Sequence, residues 1–295
     1  MSNLPTARFV NPRAEQQEAC LSLGEPAATG SKLTQISQTR EKAPRFLILK
    51  EVVITGVGTL LANCDDRDTF WRQLANGESQ LSLEQRPEGT VAVARIAGFD
   101  GSKYLPEIPE RHYRSAHREH QLYLACLAQA IRDAGLSLSE VRGRPVGLYD
   151  GTSRGCLAYW YDLLSRRLSN KEPFTMNDIS PGMPGQAAGL GAAVFGLTGP
   201  TSTFNGTCAS GAIAFGHAYR ELQTGRTEMA LVTGHDAALI DPIFQMYADA
   251  GLLSTGVEDS TTAIAPFSGH RGNAFGEGAV TLVLETKEHA TARGA

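Results

Sequence analysis

The 295-residue sequence has neither an excess of basic charge nor a long hydrophobic run. Its 27 lysine and arginine residues stand against 31 aspartate and glutamate residues, so the formal net charge at pH 7 is −4. This balance provides no basic stripe of the kind that nucleic-acid-binding proteins use. No apolar run approaches the roughly 20 residues that a membrane-spanning helix needs. We therefore expect neither nucleic acid nor a membrane among the partners of this protein.

The sequence also lacks paired cysteines and a cofactor motif. The five cysteines, without any CxxC spacing, are Cys20, Cys64, Cys126, Cys156 and Cys208. This spacing argues against a zinc site or a disulfide framework. The pair Gly189-x-Gly191 lacks a third glycine and does not directly follow a strand, so we predict no dinucleotide site and no other cofactor. The first residues lack the pattern of a secretory signal, which predicts a reducing, cytoplasmic location.

What the sequence does contain is a globular composition with alternating element patterns. Hydrophobic residues make up 42% and charged residues 20%, enough for a sizeable core. Residues 1–45 lack a sustained apolar period, so we predict a flexible, disordered extension followed by a folded domain over residues 46–295. Short apolar runs predict strands at 51–56, 144–149, 200–204, 229–233 and 279–284. Helical spacing predicts helices at 66–74, 119–134, 184–195 and 208–223.

This alternation predicts an α/β fold in which a mixed sheet is covered by helices. Residues 78–110 have no clear period and are interpreted as irregular. Cys126 lies among leucine and alanine residues and is predicted to be core. One further helical face is interpreted as core packing, and it consists of Tyr159, Trp160, Leu163, Leu164 and Leu168.

Cys208 is the strongest candidate for a chemical role. It lies between a short apolar strand and a helix rich in small residues, where unpaired N–H groups and the positive end of the helix dipole favour a thiolate. Glycine and alanine around the sulfur leave room for a substrate. The dipole contributes only about 1 kcal/mol, so a thiolate near neutral pH needs further help. From these residues alone Cys208 is either a nucleophile or a small buried hydrophobe.

Three ordered segments resemble the N-terminal half of the β-ketoacyl synthases, the condensing enzymes of fatty acid and polyketide assembly. They are a strand start at 52–58, the cysteine motif at 205–211 and a glycine-rich segment at 275–279. The resemblance extends over roughly residues 50–295. One departure is Ala209, which follows the cysteine where serine or threonine is commoner in the family.

The resemblance implies a thiolase-like architecture in which two similar α/β halves pack around shared central helices. It also implies that Cys208 takes an acyl group from an acyl carrier protein or coenzyme A thioester. A malonyl unit then loses carbon dioxide with help from two histidines, and the resulting carbanion attacks the acyl-enzyme. Those histidines belong to the family's second half, beyond residue 295. We therefore expect acylation with poor condensation by this chain alone, and a homodimer or a heterodimer with a condensing-enzyme subunit.

No histidine in the sequence convincingly replaces that pair. His217 is nine residues after Cys208, which at about 100° per residue places it on the opposite helix face, roughly 13 Å further along. His235 follows a strand end and could face a pocket, although the family usually has a small residue there. His270 lies where the family has an acidic stretch. The remaining candidates belong to a charged run interpreted as solvated: His112, His117 and His120.

Two alternatives remain open at this point. The chain could be a non-catalytic partner resembling the chain-length factors of the family, which usually lack the cysteine. It could also be an unrelated α/β binding protein in which Cys208 belongs to the core. Reaction of Cys208 with a small alkylating agent in the folded protein distinguishes the last alternative from the others.

Overall fold

The computed structural model describes residues 49–269 and 272–295, all of which fall within one compact unit. The predicted extension of residues 1–45, its boundary at residue 46 and the candidate base His270 lie outside these residues. The strands are β1 (Val52–Leu60), β2 (Ser82–Arg86), β3 (Gly89–Ala94), β4 (Gly147–Thr152), β5 (Thr201–Phe204), β6 (Met229–Asp236), β7 (Phe275–Gly276) and β8 (Gly278–Thr286). The α-helices are α1 (Arg67–Asn76), α2 (Arg118–Asp133), α3 (Leu138–Val141), α4 (Leu157–Asn170), α5 (Gln186–Phe195), α6 (Ser210–Gln223), α7 (Asp241–Asp249) and α8 (Lys287–Ala292).

Five strands form a mixed sheet in the order β1-β8-β6-β4-β5. Strands β6, β4 and β5 run parallel, whereas β8 is antiparallel to both β1 and β6. The predicted mixed α/β sheet is therefore confirmed. Because carboxyl ends of parallel strands meet at one edge of a sheet, Thr152, Phe204 and Asp236 lie along the same edge. The candidate site is built on this edge.

Helices cover the two faces of the sheet. On one face, α2 and α5 form the largest core cluster with β4 and β6, including Tyr123, Leu127, Leu148, Phe195 and Leu231. On the other face, α6 packs its small residues, such as Ala214 and Ala218, against Tyr149 and Val232. Small residues allow this close packing, because a Cβ on Gly151 would overlap the carbonyl group of Ser210. The N-terminus of α6 is thus held directly against β4.

The local start and stop signals placed several helices correctly. Asp66 Oδ1 accepts a hydrogen bond from the Thr69 amide at 2.8 Å and begins α1, and Gly77 ends it in the left-handed conformation with φ 66°. Gly196 ends α5 in the same way, with φ 68°. The strands β1 and β6 are longer than predicted, because their pairing with β8 continues past the apolar runs. Cys126 is fully buried, as predicted.

The expectation for residues 78–110 was wrong. Residues 78–110 are not uniformly irregular, because they contain the antiparallel pair β2–β3, which β7 joins as a second sheet. Its buried residues Val91 and Val93 pack against Phe244 and Leu253 from distant parts of the chain, a context that no local pattern contains.

The face of α4 is only partly core. Leu163 is buried, but Leu164 is 42% and Leu168 is 68% exposed. Helical spacing identifies an apolar face without showing what packs on it. Exposed apolar side chains continue after the helix at Phe174, Met176, Ile179 and Met183. Within the part of the chain that the structure describes, no helix has the length and hydropathy needed to cross a membrane.

Candidate active site

Cys208 lies exposed in the turn between β5 and α6. Helix α6 begins at Ser210, so the thiol precedes the first helical residue by two positions rather than opening the helix. Thr207 adopts a left-handed conformation with φ 52°, which few non-glycine residues do and which turns the chain sharply ahead of the cysteine. An exposed Cys208 does not belong to the hydrophobic core, so the interpretation of this cysteine as a buried hydrophobe was wrong.

The side chain of Ser210 stabilises this turn through hydrogen bonds to its backbone. The Ser210 hydroxyl accepts a hydrogen bond from the Gly206 amide at 2.9 Å and donates one to the Thr207 carbonyl at 2.6 Å. The Ala209 amide donates to the Gly206 carbonyl at 3.1 Å. A Cβ on Gly206 would overlap Cδ1 at the end of the Ile213 side chain, so a larger residue there would require that side chain to move. The small residues of the motif thus serve the geometry of the turn as well as access to the sulfur.

The turn is also tied to the ends of the neighbouring strands. Asn205 Nδ2 donates to the Ser153 carbonyl at 3.0 Å, which links the turn to the segment after β4. The amides of Ser153 and Arg154 both donate to Asp236 Oδ2 at 3.2 Å, at the end of β6. The carboxyl ends of β5, β4 and β6 are therefore joined by polar contacts beside Cys208.

The other described cysteines have environments that suppress reactivity. Cys64, Cys126 and Cys156 are all buried. Burial raises the pKa of Cys64 above its usual value and raises the pKa values of Cys126 and Cys156 to about 12. Because the thiolate is the nucleophilic form, these three thiols are poor nucleophiles near neutral pH.

His235 is buried between two carboxylates at the end of β6. Its Nε2 lies 2.9 Å from Asp150 Oδ1 and its Nδ1 lies 3.1 Å from Glu119 Oε1, and none of these side chains is more than 3% exposed. Burial by itself lowers the pKa of His235, but the nearby carboxylates of Asp150 and Glu119 more than offset this and raise it to about 10. The ring therefore keeps its proton near neutral pH and does not supply an accessible base.

The predicted solvated histidine run is only partly at the surface. His112 is exposed, whereas His120 and Glu119 are buried near the start of α2. Burial lowers the pKa of His120 to about 4, with electrostatic interactions with His117 and His235 adding to the effect. The sequence of this charged run does not indicate that one of its faces packs against the sheet. The cluster of Glu119, Asp150 and His235 was likewise missed, because its members come from three separate elements.

The remaining candidates are not brought to the thiol by any contact in the described residues. The ring of His217 stacks on Phe204, with ring centres 4.4 Å apart. A cavity of about 530 Å³ is lined mainly by apolar residues and reaches Gly234 and His235, but Cys208 does not line it. The site is thus an exposed cysteine on a rigidly connected turn, with a buried ionic cluster on the opposite face of the sheet.

Comparison with known proteins identifies the class. The family model described as beta-ketoacyl synthase, N-terminal domain, matches residues 49–290. The chain therefore belongs to the β-ketoacyl synthase family, with its thiolase-like fold. It is 31% identical over 257 residues to the 3-oxoacyl-[acyl-carrier-protein] synthase 2 of Synechocystis sp. (strain ATCC 27184 / PCC 6803 / Kazusa), covering 83% of this chain and 60% of that protein. It is 32% identical over 266 residues to a putative polyketide beta-ketoacyl synthase 1 of Streptomyces halstedii, with the same coverage of 83% and 60%.

Solved structures agree with this assignment. A ketosynthase complex with a type II PKS acyl-carrier protein matches with a TM-score of 0.71 and 25% identity, covering 84% of this chain and 60% of that one. The ishigamide ketosynthase/chain length factor matches with a TM-score of 0.73 at 23% identity, covering 84% of this chain and 61% of that one, and shows the fold. The chain thus spans about 60% of the length of the curated relatives named above.

Proposed function

We propose that this chain carries the acyl-accepting cysteine of a condensing enzyme of the β-ketoacyl-ACP synthase type, acting in fatty acid or polyketide assembly. The single observation that carries the proposal is the exposed Cys208 in the β5–α6 turn, within the residues that the family model matches. The acyl donor is the thioester of an acyl carrier protein or of coenzyme A. The structural relative in complex with an acyl-carrier protein supports the first of these donors.

The first half-reaction is a thioester exchange. The Cys208 thiolate attacks the carbonyl carbon of the donor and forms a tetrahedral oxyanion, which then collapses to the new thioester as the C–S bond to the carrier breaks. The carrier sulfur leaves as a thiolate and takes up a proton from solvent, which balances the proton that Cys208 lost when its thiolate formed. The Cys208 amide is the proposed donor to the oxyanion, and removal of one such donor typically costs about 10²–10³ in rate.

The second half-reaction needs stabilisation of negative charge as a malonyl unit loses carbon dioxide. Among the described residues, His235 is enclosed by two carboxylates and His120 is buried. We infer that the groups for decarboxylation come from residues outside the described part, either further along a longer polypeptide or in a partner subunit. A homodimer or a heterodimer with another condensing-enzyme subunit fits this requirement.

A non-catalytic role resembling that of a chain-length factor is the second candidate. It fits the similarity in fold to a ketosynthase/chain length factor. The exposed cysteine on an ordered turn favours the catalytic role, because a pocket-shaping subunit does not need a nucleophile.

The test is acylation of the protein by a medium-chain acyl-coenzyme A, followed by intact mass and peptide mapping. We expect one adduct on the peptide that contains Cys208, lost in Cys208→Ala and retained in the matched variant Cys156→Ala. All of these proteins carry the substitution Cys20→Ser, which removes the one cysteine that lies outside the described residues. Protein that is unfolded in urea before the donor is added should form no adduct, because acylation at the site depends on the folded turn. Reactivity of a bare thiol does not depend on the turn and would persist. An adduct that persists in Cys208→Ala, or maps to Cys64 or Cys156, contradicts the proposal.

A further inference from the structure

The position of His235 between two buried carboxylates favours a charged ring. Each ring nitrogen lies close to a different carboxylate, Nδ1 at 3.1 Å from Glu119 Oε1 and Nε2 at 2.9 Å from Asp150 Oδ1, as ion pairs without hydrogen-bond alignment. A neutral imidazole has one N–H group and one lone pair, so it would turn its lone pair toward one of the two negative charges. An imidazolium avoids this repulsion, because its positive charge is shared by both ring nitrogens and attracts both carboxylates.

Asp150 extends this contact toward the nucleophile turn. Its second oxygen, Oδ2, accepts a hydrogen bond from the Thr203 hydroxyl at 3.1 Å. Thr203 lies on β5 two residues before Asn205, whose amide group is already bonded to Ser153. The two oxygens of Asp150 are thus divided between His235 on one side and Thr203 on the other. A carboxylate held from both sides has little rotational freedom, and the end of β5 is fixed with it.

We propose that His235 is a positioning residue, which holds Asp150 against Thr203 and so fixes the turn that carries Cys208. The proposal rests on the proposed function only in taking Cys208 as the nucleophile. His235 acts from the α2 face of the sheet, whereas α6 packs on the other face, so its influence reaches the turn through the ends of β4 and β5.

The groups around the ring determine how the proposal is tested. Helix α2 presents Glu119, His120 and Tyr123, and β4 presents Asp150. Glu119→Gln removes one of the two carboxylates without removing the contact to Asp150. We expect His235 to lose its proton at lower pH in that variant, and the turn to loosen over the same pH range.

The first experiment observes the ring itself in the full 295-residue chain. Histidine nitrogens are labelled with ¹⁵N, and the His235 signals are assigned as those missing from His235→Gln. We expect both ring nitrogens to carry protons from pH 6 to pH 8.5 in the wild type, and a transition to the neutral ring within this range in Glu119→Gln. A neutral His235 at pH 7 in the wild type overturns the proposal.

The second experiment measures hydrogen exchange of the peptide that spans residues 203–210. Thr203→Val removes only the hydroxyl that bonds Asp150, and its matched control is Thr281→Val, which removes a buried hydroxyl bonded to Thr233 at 2.8 Å in the same sheet. We expect protection of the peptide to fall about fivefold in Thr203→Val, the change for one net hydrogen bond, and to stay unchanged in the control.

The pH profile separates positioning from a general structural role. In Glu119→Gln, protection of residues 203–210 should fall as the His235 signal becomes neutral, whereas the wild type should show no such transition up to pH 8.5. Equal loss of protection in Thr203→Val and Thr281→Val, or a turn unaffected when His235 becomes neutral, overturns the proposal. Neither readout involves acyl transfer, so failure of acylation at Cys208 would contradict the proposed function and leave this result standing.

Discussion

At the residue scale, His235 links folding stability to pH. Its pKa is raised from 6.5 to about 10 in the folded protein by Asp150 and Glu119, against the effect of burial. A group whose pKa is higher in the folded state contributes stability that is fully present below pH 6.5. This contribution is lost as the pH rises toward about 10, because the unfolded chain no longer binds the proton that the folded chain holds.

We therefore predict that the urea concentration at the unfolding midpoint of the wild type decreases as the pH rises from 7 to 8.5. His235→Gln should be less stable at pH 7 by about 3–5 kcal/mol, because two buried carboxylates lose their partner. The decline of its midpoint over the same pH range should be smaller than that of the wild type. Unfolding curves at four pH values measure both effects, and equal declines in the two proteins would contradict the assignment.

At the element scale, the contact between β4 and α6 places the nucleophile turn. A Cβ on Gly151 would lie 2.6 Å from the Gly211 amide nitrogen, in addition to its overlap with Ser210. No backbone shift of β4 alone relieves this, since β4 is hydrogen-bonded to strands on both sides. The start of α6 would have to move, and the turn that carries Cys208 would move with it.

Gly151→Ala is therefore predicted to cost about 1–3 kcal/mol, the usual range for overpacking, and to slow acylation of Cys208. Gly216→Ala in α6 is the matched control, because a Cβ there meets nothing within 4 Å. That control should gain about 0.5–1 kcal/mol from helix propensity and keep its acylation rate. Urea unfolding and acylation rates test both, and equal stability of the two variants would refute the role of the close contact.

At the scale of the whole molecule, large apolar side chains remain exposed on several elements. Met176 is 81% exposed and Leu168 68%, while Ile213 on α6 is 38% exposed. The matched relatives are longer than this chain, which covers about 60% of them. Both observations fit the proposal that the complete catalytic unit includes residues beyond those described.

We predict that the 295-residue chain, given acyl- and malonyl-carrier thioesters, forms the acyl-enzyme and releases no condensed product at a rate typical of the family. The physical reason is that decarboxylation needs a group that stabilises the developing negative charge. Mass spectrometry of the products measures both half-reactions in one experiment. A second chain that carries a histidine pair should restore condensation, and vigorous turnover by the lone chain would contradict this prediction.

The sequence by itself determined the fold class, most element positions and the candidate nucleophile. Asp66 and Gly77 define α1 by local capping, and the β-branched runs define the central strands, because these signals act between residues close in the chain. Cys208 was identified from the residue types on either side of it. Its role as the nucleophile stays a prediction, although its exposure agrees with that role.

Only the tertiary structure decided where charge is buried and which apolar faces are covered. Glu119, Asp150 and His235 come from α2, β4 and β6, and each looks locally like an ordinary surface or strand residue. The pairing of β2 with β3 likewise depends on Phe244 and Leu253, which pack on it from far along the chain. Ionic and packing energies depend on distances in space, and a linear pattern contains those distances only for neighbouring residues.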